Sequence, residues 1–266
     1  HKVESVVWSP DGRRIAAGSA VDGVRVWDAV SGESLLSLEH GHWVRSVVWS
    51  PDGRRIAAGS AVDGVRVWDA VSGESLLSLE HGHWVGSVVW SPDGRRIAAG
   101  SAVDGVRVWD AVSGESLLSL EHGYWVGSVV WSPDGRRIAA GFDGEGVRVW
   151  DAVTGEELLS LEHGHRVESV VWSPDGSRIV TGFDGDGVRV WDAVTGEELL
   201  SLEHGHKVWS VVWSPDGSRI ATGSIFDGVR VWDAVTGEEL LSLEHGHKVW
   251  SVVWSPDGSR IATGSI

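Results

Sequence analysis

Apolar residues along the chain come in short runs that alternate with polar ones and are cut by clusters of turn residues. In residues 42–82, Trp43, Arg45, Val47 and Trp49 alternate with Val44, Ser46 and Val48. The abundance of Val and Trp predicts a first strand, a, buried on both faces. Ser50-Pro51-Asp52-Gly53 supplies turn chemistry: proline sets φ at the first corner, aspartate bonds locally and glycine accepts positive φ. Strand b, Arg55–Ser60, runs to a second turn at Ala61–Gly64, and strand c, Val65–Asp69, reads VRVWD. A third turn, 70–74, precedes strand d, Ser75–Glu80. No stretch reaches helical length without a turn signal, so the segment is a four-stranded meander and the class is all-β.

The segment is one of a series. VVWSPDG, beginning at Val47, also begins at Val6, Val88, Val129, Val170, Val211 and Val252, always 41 residues on. VRVWD follows at Val24, Val65, Val106, Val147, Val188 and Val229, which makes six full repeats and a final half repeat, Val252–Ile266. Units of this size cannot bury their apolar faces alone and stack on their neighbours, so residues 1–266 form a single domain. Sheets that are apolar on both faces cover each other when arranged radially, as in a β-propeller. Thirteen of the 18 tryptophans sit at repeat-wide positions and are expected in its core.

The expected form is a seven-bladed ring whose last blade, from His247, is incomplete, or is completed by sequence outside this chain or by a second chain. A six-bladed ring with 249–266 left over or swapped is the alternative. The free edge of the last strand b, Arg260–Ser265, is expected to be a point of association. The chain begins His1-Lys2-Val3 without methionine and stops in mid-repeat, and reads as a fragment.

With GH ahead of strand a, SPDG between a and b, and VRVWD in c, each repeat resembles the tryptophan-aspartate (WD) repeat family of β-propellers. The near-identity of the copies resembles the recently amplified, highly repetitive members. The resemblance covers the whole chain. It implies a non-enzymatic scaffold that holds protein partners, and it favours an intracellular location. It also implies a hydrogen-bonded set of His, Ser or Thr, Trp and an Asp three residues before strand c. Here that place holds Val21, Val62, Val103, Gly144, Gly185 and Phe226, while Asp22, Asp63, Asp104 and Asp227 sit one residue later. Of the two histidines before strand a, His40 and its equivalents are expected to serve that set.

The copies disagree at one end of the meander, the top, where the d to a and b to c connections meet. The second residue of strand a reads Lys2, Trp43, Trp84, Trp125, Arg166, Lys207 and Lys248, and two places on stand Glu4, Arg45, Gly86, Gly127, Glu168, Trp209 and Trp250. All three phenylalanines, Phe142, Phe183 and Phe226, fall in or beside the b to c turn, and Tyr124 replaces a histidine. Aromatic groups beside Lys, Arg and Glu are what protein interfaces use as anchors, so the named aromatic and charged residues form the candidate partner-binding surface. Exposed indoles also stack on sugars, giving a lectin-like alternative. Packing against the neighbouring blade is the structural alternative, and Gly86 and Gly127 suggest that bulk is exchanged locally.

Composition narrows the partner class. With 22 Lys and Arg against 38 Asp and Glu, the net charge of −16 argues against nucleic acid or an anionic membrane as partner. The absence of cysteine excludes disulfides and thiolate metal sites, and no apolar run is long enough for a membrane helix, so a soluble chain is expected. Asp143-Gly144-Glu145-Gly146 and Asp184-Gly185-Asp186-Gly187 offer two carboxylates each, too few for calcium. The 12 histidines recur with the repeat and read as structural, although rows of them on the rim would make binding sensitive to pH near 6.5. Ser, His and Asp stand in repeat-wide positions without one asymmetric constellation, so neither catalysis nor a cofactor or metal is expected.

Overall fold

The computed structural model describes residues 3–265 apart from 63, 122, 123 and 186. They form strands and turns alone. The first three sheets comprise β1 (Val3–Trp8), β2 (Arg14–Ser19), β3 (Val24–Asp28) and β4 (Ser34–Leu38); β5 (Val44–Trp49), β6 (Arg55–Ser60), β7 (Val65–Asp69) and β8 (Ser75–Leu79); β9 (Val85–Trp90), β10 (Arg96–Ser101), β11 (Val106–Asp110) and β12 (Ser116–Leu120). The next three comprise β13 (Val126–Trp131), β14 (Arg137–Phe142), β15 (Gly146–Asp151) and β16 (Glu157–Glu162); β17 (Val167–Trp172), β18 (Arg178–Phe183), β19 (Gly187–Asp192) and β20 (Glu198–Glu203); β21 (Val208–Trp213), β22 (Arg219–Ser224), β23 (Val229–Asp233) and β24 (Glu239–Leu243). A seventh sheet holds two strands, β25 (Val249–Trp254) and β26 (Ile261–Ser265). Every sheet is an antiparallel meander in chain order, as the turn chemistry predicts.

Contacts divide the chain into two compact units, His1–Trp131 with Val153–Gly155, and Ser132–Ala152 with Glu156–Ile266. Within each, the sheets stack face to face. In the first unit Ala57, Val65, Val67 and Leu79 of one sheet meet Val85, Val88 and Trp90 of the next. In the second, Val188, Val190 and Leu202 meet Val208, Val211, Trp232 and Ala234 in the same way. The short seventh sheet continues this stacking, with Val249 and Val252 packed on Val229 and Val231. The final half repeat is therefore built in as a partial sheet and is not left over.

Two polar devices hold neighbouring sheets together, and a third ties the loop before a first strand to that strand's own sheet. Ser46 Oγ accepts from Val88 N at 3.1 Å, and Ser210 Oγ from Val252 N at 3.1 Å, tying first strand to first strand. In the six four-stranded sheets an arginine at the start of the second strand reaches across at the other end. Arg55 Nη1 donates to Ala111 O at 2.5 Å and lies 5.1 Å over Trp90; Arg178 Nη1 donates to Ala234 O at 2.6 Å. The aspartate of VRVWD shapes its own turn: Asp69 Oδ1 accepts from Val71 N and Ser72 N at 2.9 and 2.8 Å, and these bonds hold its carboxyl below the usual range.

The third device is the buried histidine, and it takes two forms. In the sixth sheet Trp232 Nε1 donates to Thr222 Oγ1 at 3.0 Å, Thr222 Oγ1 lies 2.9 Å from His204 Nε2, and His204 Nδ1 lies 3.4 Å from Asp227 Oδ2. A neutral ring with its proton on Nδ1 satisfies the whole chain: the threonine hydroxyl donates to Nε2 and Nδ1–H donates to the carboxylate. The Asp one residue late thus completes the set in this repeat. The fifth sheet has Trp191, Thr181 and His163 in the same relation, with Leu161 O taking the place of the carboxylate. In the second and third sheets alanine replaces the threonine, and His40 and His81 turn Nε2 to Ala58 O and Ala99 O, both at 3.3 Å. Thr222→Val keeps the shape and orphans His204 Nε2 and Trp232 Nε1, so it is expected to destabilise the chain by about 1–3 kcal/mol in urea unfolding. An unchanged midpoint would count against the network.

One expectation about the core needs correction. Trp8 is 59% exposed, whereas its counterpart Trp49 is 8% exposed, because no preceding sheet of its unit covers the outer face of β1.

Candidate functional site at the top of the first strands

The top residues owe their placement to a feature absent from any sequence signal. In six first strands the pairing with the second strand slips between the flanking residues of one position: Val3/Ser5, Val44/Ser46, Val85/Ser87 around Gly86, Val167/Ser169, Val208/Ser210 and Val249/Ser251. Glu4, Arg45, Glu168, Trp209 and Trp250 are therefore β-bulge residues, freed from the ladder and re-aimed. The copies disagree at the place where the ladder does not constrain them.

In the first unit the Arg45 guanidinium lies 5.2 Å over Trp43, 4.5 Å over Trp84 and 5.6 Å over Trp125. The indoles themselves meet edge to face, Trp43 with Trp84 at 5.9 Å and Trp84 with Trp125 at 6.0 Å. A Cβ at Gly86 would stand 3.4 Å from Val126 O and 3.8 Å from Trp125 Nε1, both ordinary contacts, so the exchange of bulk suggested by the sequence is not required for the indoles to fit. Each such cation–π or edge-to-face contact contributes about 0.5–1.5 kcal/mol. The three indoles and Arg45 are half-buried, and Tyr124 beside them is 46% exposed.

In the second unit charge takes the place of the stacked arginine. Glu168, almost buried, lies 2.7 Å from Lys207 Nζ and 3.1 Å from Arg166 Nε, and Asp184 lies 3.0 Å from Lys207. Burial works against the Lys207 ammonium, but Glu168 and Asp184 outweigh it and hold its pKa above the ordinary lysine value. Lys207 also sits 4.4 Å over Trp209, whose ring packs 4.2 Å from that of Trp250. Trp250 is 40% exposed and Lys248 is exposed. An open cleft of about 800 Å³ runs beside them, flanked by Phe226, Asp227, Arg230, His245, His247 and Lys248.

The expected site residues therefore separate into three groups. Arg45 contacts Trp84, and Glu168 contacts Lys207, each across neighbouring sheets of one unit, and with Trp43, Trp125, Arg166 and Trp209 they are partly packing residues. Phe142 and Phe183 are corrected to core: Phe142 is fully buried against Trp150, and Phe183 is covered by His163 and His165. They end β14 and β18, and at Phe142 an extra pair with Gly146 of the third strand carries the ring inward. Tyr124, Phe226, Lys248 and Trp250 remain exposed. Glu4 is half-buried, and Lys2 lies outside the described residues. Sequence reading missed Arg230 and the histidines of the cleft, which belong to repeat-wide positions and differ from their counterparts only in what lies beside them.

One carboxylate of each turn considered for calcium is paired with a cation of the chain, Glu145 with Arg148 at 3.1 Å and Asp184 with Lys207 at 3.0 Å, and Asp186 lies outside the described residues. Among the described residues no group of three or more His, Asp or Glu is placed to hold a metal ion.

Comparison with known proteins places this architecture. The family model for the first β-propeller of IFT122 matches residues 2–166, and the WD domain, G-beta repeat model matches 155–192, 196–233 and 237–266. The chain belongs to the WD-repeat β-propellers. Its blades are the six four-stranded sheets, with an incomplete last blade in the two-stranded seventh. The crystal structure of the computationally designed Ika8 protein is similar in fold, with a TM-score of 0.87 and 23% identity over 100% of this chain and 84% of that one. No curated protein matches it in sequence. WD-repeat propellers are in general protein-interaction scaffolds and typically non-catalytic.

Proposed function

We propose that this propeller is a non-enzymatic recognition scaffold that binds a protein or peptide partner at the top end of its blades. One observation carries the reading. Apart from Trp8, every exposed aromatic side chain among the described residues, namely Tyr124, Phe226 and Trp250, stands at the top at a position where the copies differ. The opposite end exposes isolated repeat-wide valines such as Val71 and Val194. Trp250 on β25 and Tyr124 and Phe226 in short connections, with Arg45, Lys207 and Lys248 at the same end of the strands, present large contact areas for few rotatable bonds. A lectin-like reading is less well supported, because Arg45 and Lys207 already cover indole faces that a sugar ring would need.

The test is a random peptide library panned on the folded chain. Phe226→Ala and Trp250→Ala are expected to weaken a selected peptide about ten-fold or more, as anchors do. Val194→Ser at the other end is expected to change affinity less than two-fold, roughly the scatter of a neutral surface substitution. Selected peptides that respond to Val194→Ser and ignore both aromatic substitutions would overturn the reading. Binding of free sugars at about millimolar concentration, in place of peptides, would favour the lectin-like alternative.

A further inference from the structure

Among the half-buried arginines, Arg66, Arg107, Arg189 and Arg230 donate through Nη1 to a backbone carbonyl of the preceding blade, and Arg148 and Arg166 pair with glutamates. Arg45 differs. It meets the rings of Trp84, Trp43 and Trp125 at 4.5, 5.2 and 5.6 Å, and among the described residues it has no carboxylate or carbonyl partner. Its Nε is buried without a hydrogen bond.

A guanidinium stays charged at any ordinary pH, and its in-plane N–H groups need acceptors. Indole rings attract the cation but leave those donors unfilled. In the second unit the top of the strands supplies the anion from within, since Glu168 at the bulge of β17 neutralises Arg166 and Lys207. Around Arg45 the neighbouring strands supply none: the place of Glu168 is taken by Gly86 in β9 and by Gly127 in β13. Arg45 keeps part of its surface in solvent, and His42, His83 and Tyr124, each one residue before an indole, are exposed. A ligand can therefore reach the cluster from solvent.

We propose that Arg45, framed by Trp43, Trp84 and Trp125, receives a carboxylate of a bound peptide, from an acidic side chain or from the C-terminus. The site presupposes peptide binding at the top. A carboxylate is planar and takes two parallel N–H bonds from a guanidinium edge, while the surrounding rings exclude water and strengthen the pair. It also matches in charge. β5, β9 and β13 carry no other Lys or Arg, so one cation meets one anion. A phosphate dianion would keep an uncompensated charge against a chain of net charge −16.

The test takes peptides selected from the random library on the full chain and remakes each with its carboxylates replaced in turn by amides: Glu by Gln, Asp by Asn, the free C-terminus by its carboxamide. One replacement per peptide is expected to weaken binding about ten-fold or more, as loss of one partner from a desolvated charge pair does. Which replacement it is tells a side-chain source from a terminal one. Arg45→Met keeps packing against the indoles and is expected to cost as much, after which the same amide replacement changes affinity by less than about two-fold. Arg45→Lys keeps the charge without the fork and is expected not to restore binding. Selected peptides that need Phe226 and Trp250 but ignore every amide replacement would overturn the carboxylate site and leave recognition at the top standing. Additive losses from Arg45→Met and the amide would also overturn it, as would tighter binding when phosphoserine replaces the acidic residue. A library that yields no binder would overturn both readings.

Discussion

Gly100→Ala is expected to destabilise the chain by about 3 kcal/mol, while the equivalent change at the last copy, Gly264→Ala, shifts stability by less than about 0.5 kcal/mol. The argument rests on how closely the blades stack. A Cβ at Gly100 would stand 2.4 Å from Val126 Cγ1 and 2.7 Å from Val129 Cγ2, and both valines are fixed in a strand and buried. Neither can yield without moving the sheet. Gly18, Gly59, Gly182 and Gly223 meet the first-strand valines of the next blade in the same way. At Gly264 the nearest side-chain atom is Ser251 Cβ of its own sheet at 3.8 Å, an ordinary contact. Denaturant unfolding of the two variants checks this. Equal losses would mean that the glycine serves backbone freedom rather than blade contact.

Stability is also expected to fall as the solution is acidified from pH 6.5 to 4. Burial holds the His163 pKa down at about 4, against an ordinary 6.5, and the ring is neutral in the folded chain. Between those values the unfolded chain takes up a proton that the folded chain refuses. The stabilisation is therefore complete above 6.5 and is lost progressively down to 4, reaching about 3 kcal/mol for this one residue. His81 and His204 are lowered in the same direction, first by burial, so their losses fall in the window below 6.5 as well. The carboxyls of Asp175 and Asp216, held at about 2 by hydrogen bonds beginning with Ser173 and Ser214, add their losses only at lower pH. Urea midpoints at pH 7, 5.5 and 4.5 should decline in order. A flat profile to pH 4.5 would show that the buried histidines are not neutral.

The repeat made the blade legible from sequence. Pro51 and Gly53 marked the first hairpin, VRVWD the third strand, and the observed bounds of β6 and β7 agree with the expected ones to the residue. What escaped were effects of one chain segment on another. Arg45 alternates with Trp43 in a regular strand, so nothing in the pattern announces the bulge that throws its guanidinium over three indoles. Phe142 looked like a turn residue because Asp143 and Gly144 follow it, and only the extra pairing with Gly146 carries it into the core. The change from Ala58 and Ala99 to Thr181 and Thr222 reads as a conservative swap, yet it decides whether the buried histidine finds a hydroxyl or a carbonyl. Asp227 showed that the acidic partner works from one residue later than the family pattern. The top of the strands was identifiable as the place where copies differ, but its division into packing and exposed residues depends on distances between blades, which no single repeat contains.

The most direct measurement of the central claim is the hydrogen-exchange footprint of a library-selected peptide bound to the full chain. Recognition at the top predicts new protection in residues 42–46, 83–87, 124–128 or 207–209 and in the turn around Phe226, with the Ser-Pro-Asp-Gly turns such as 50–53 unchanged. Protection at those opposite turns, with the top unchanged, would contradict it.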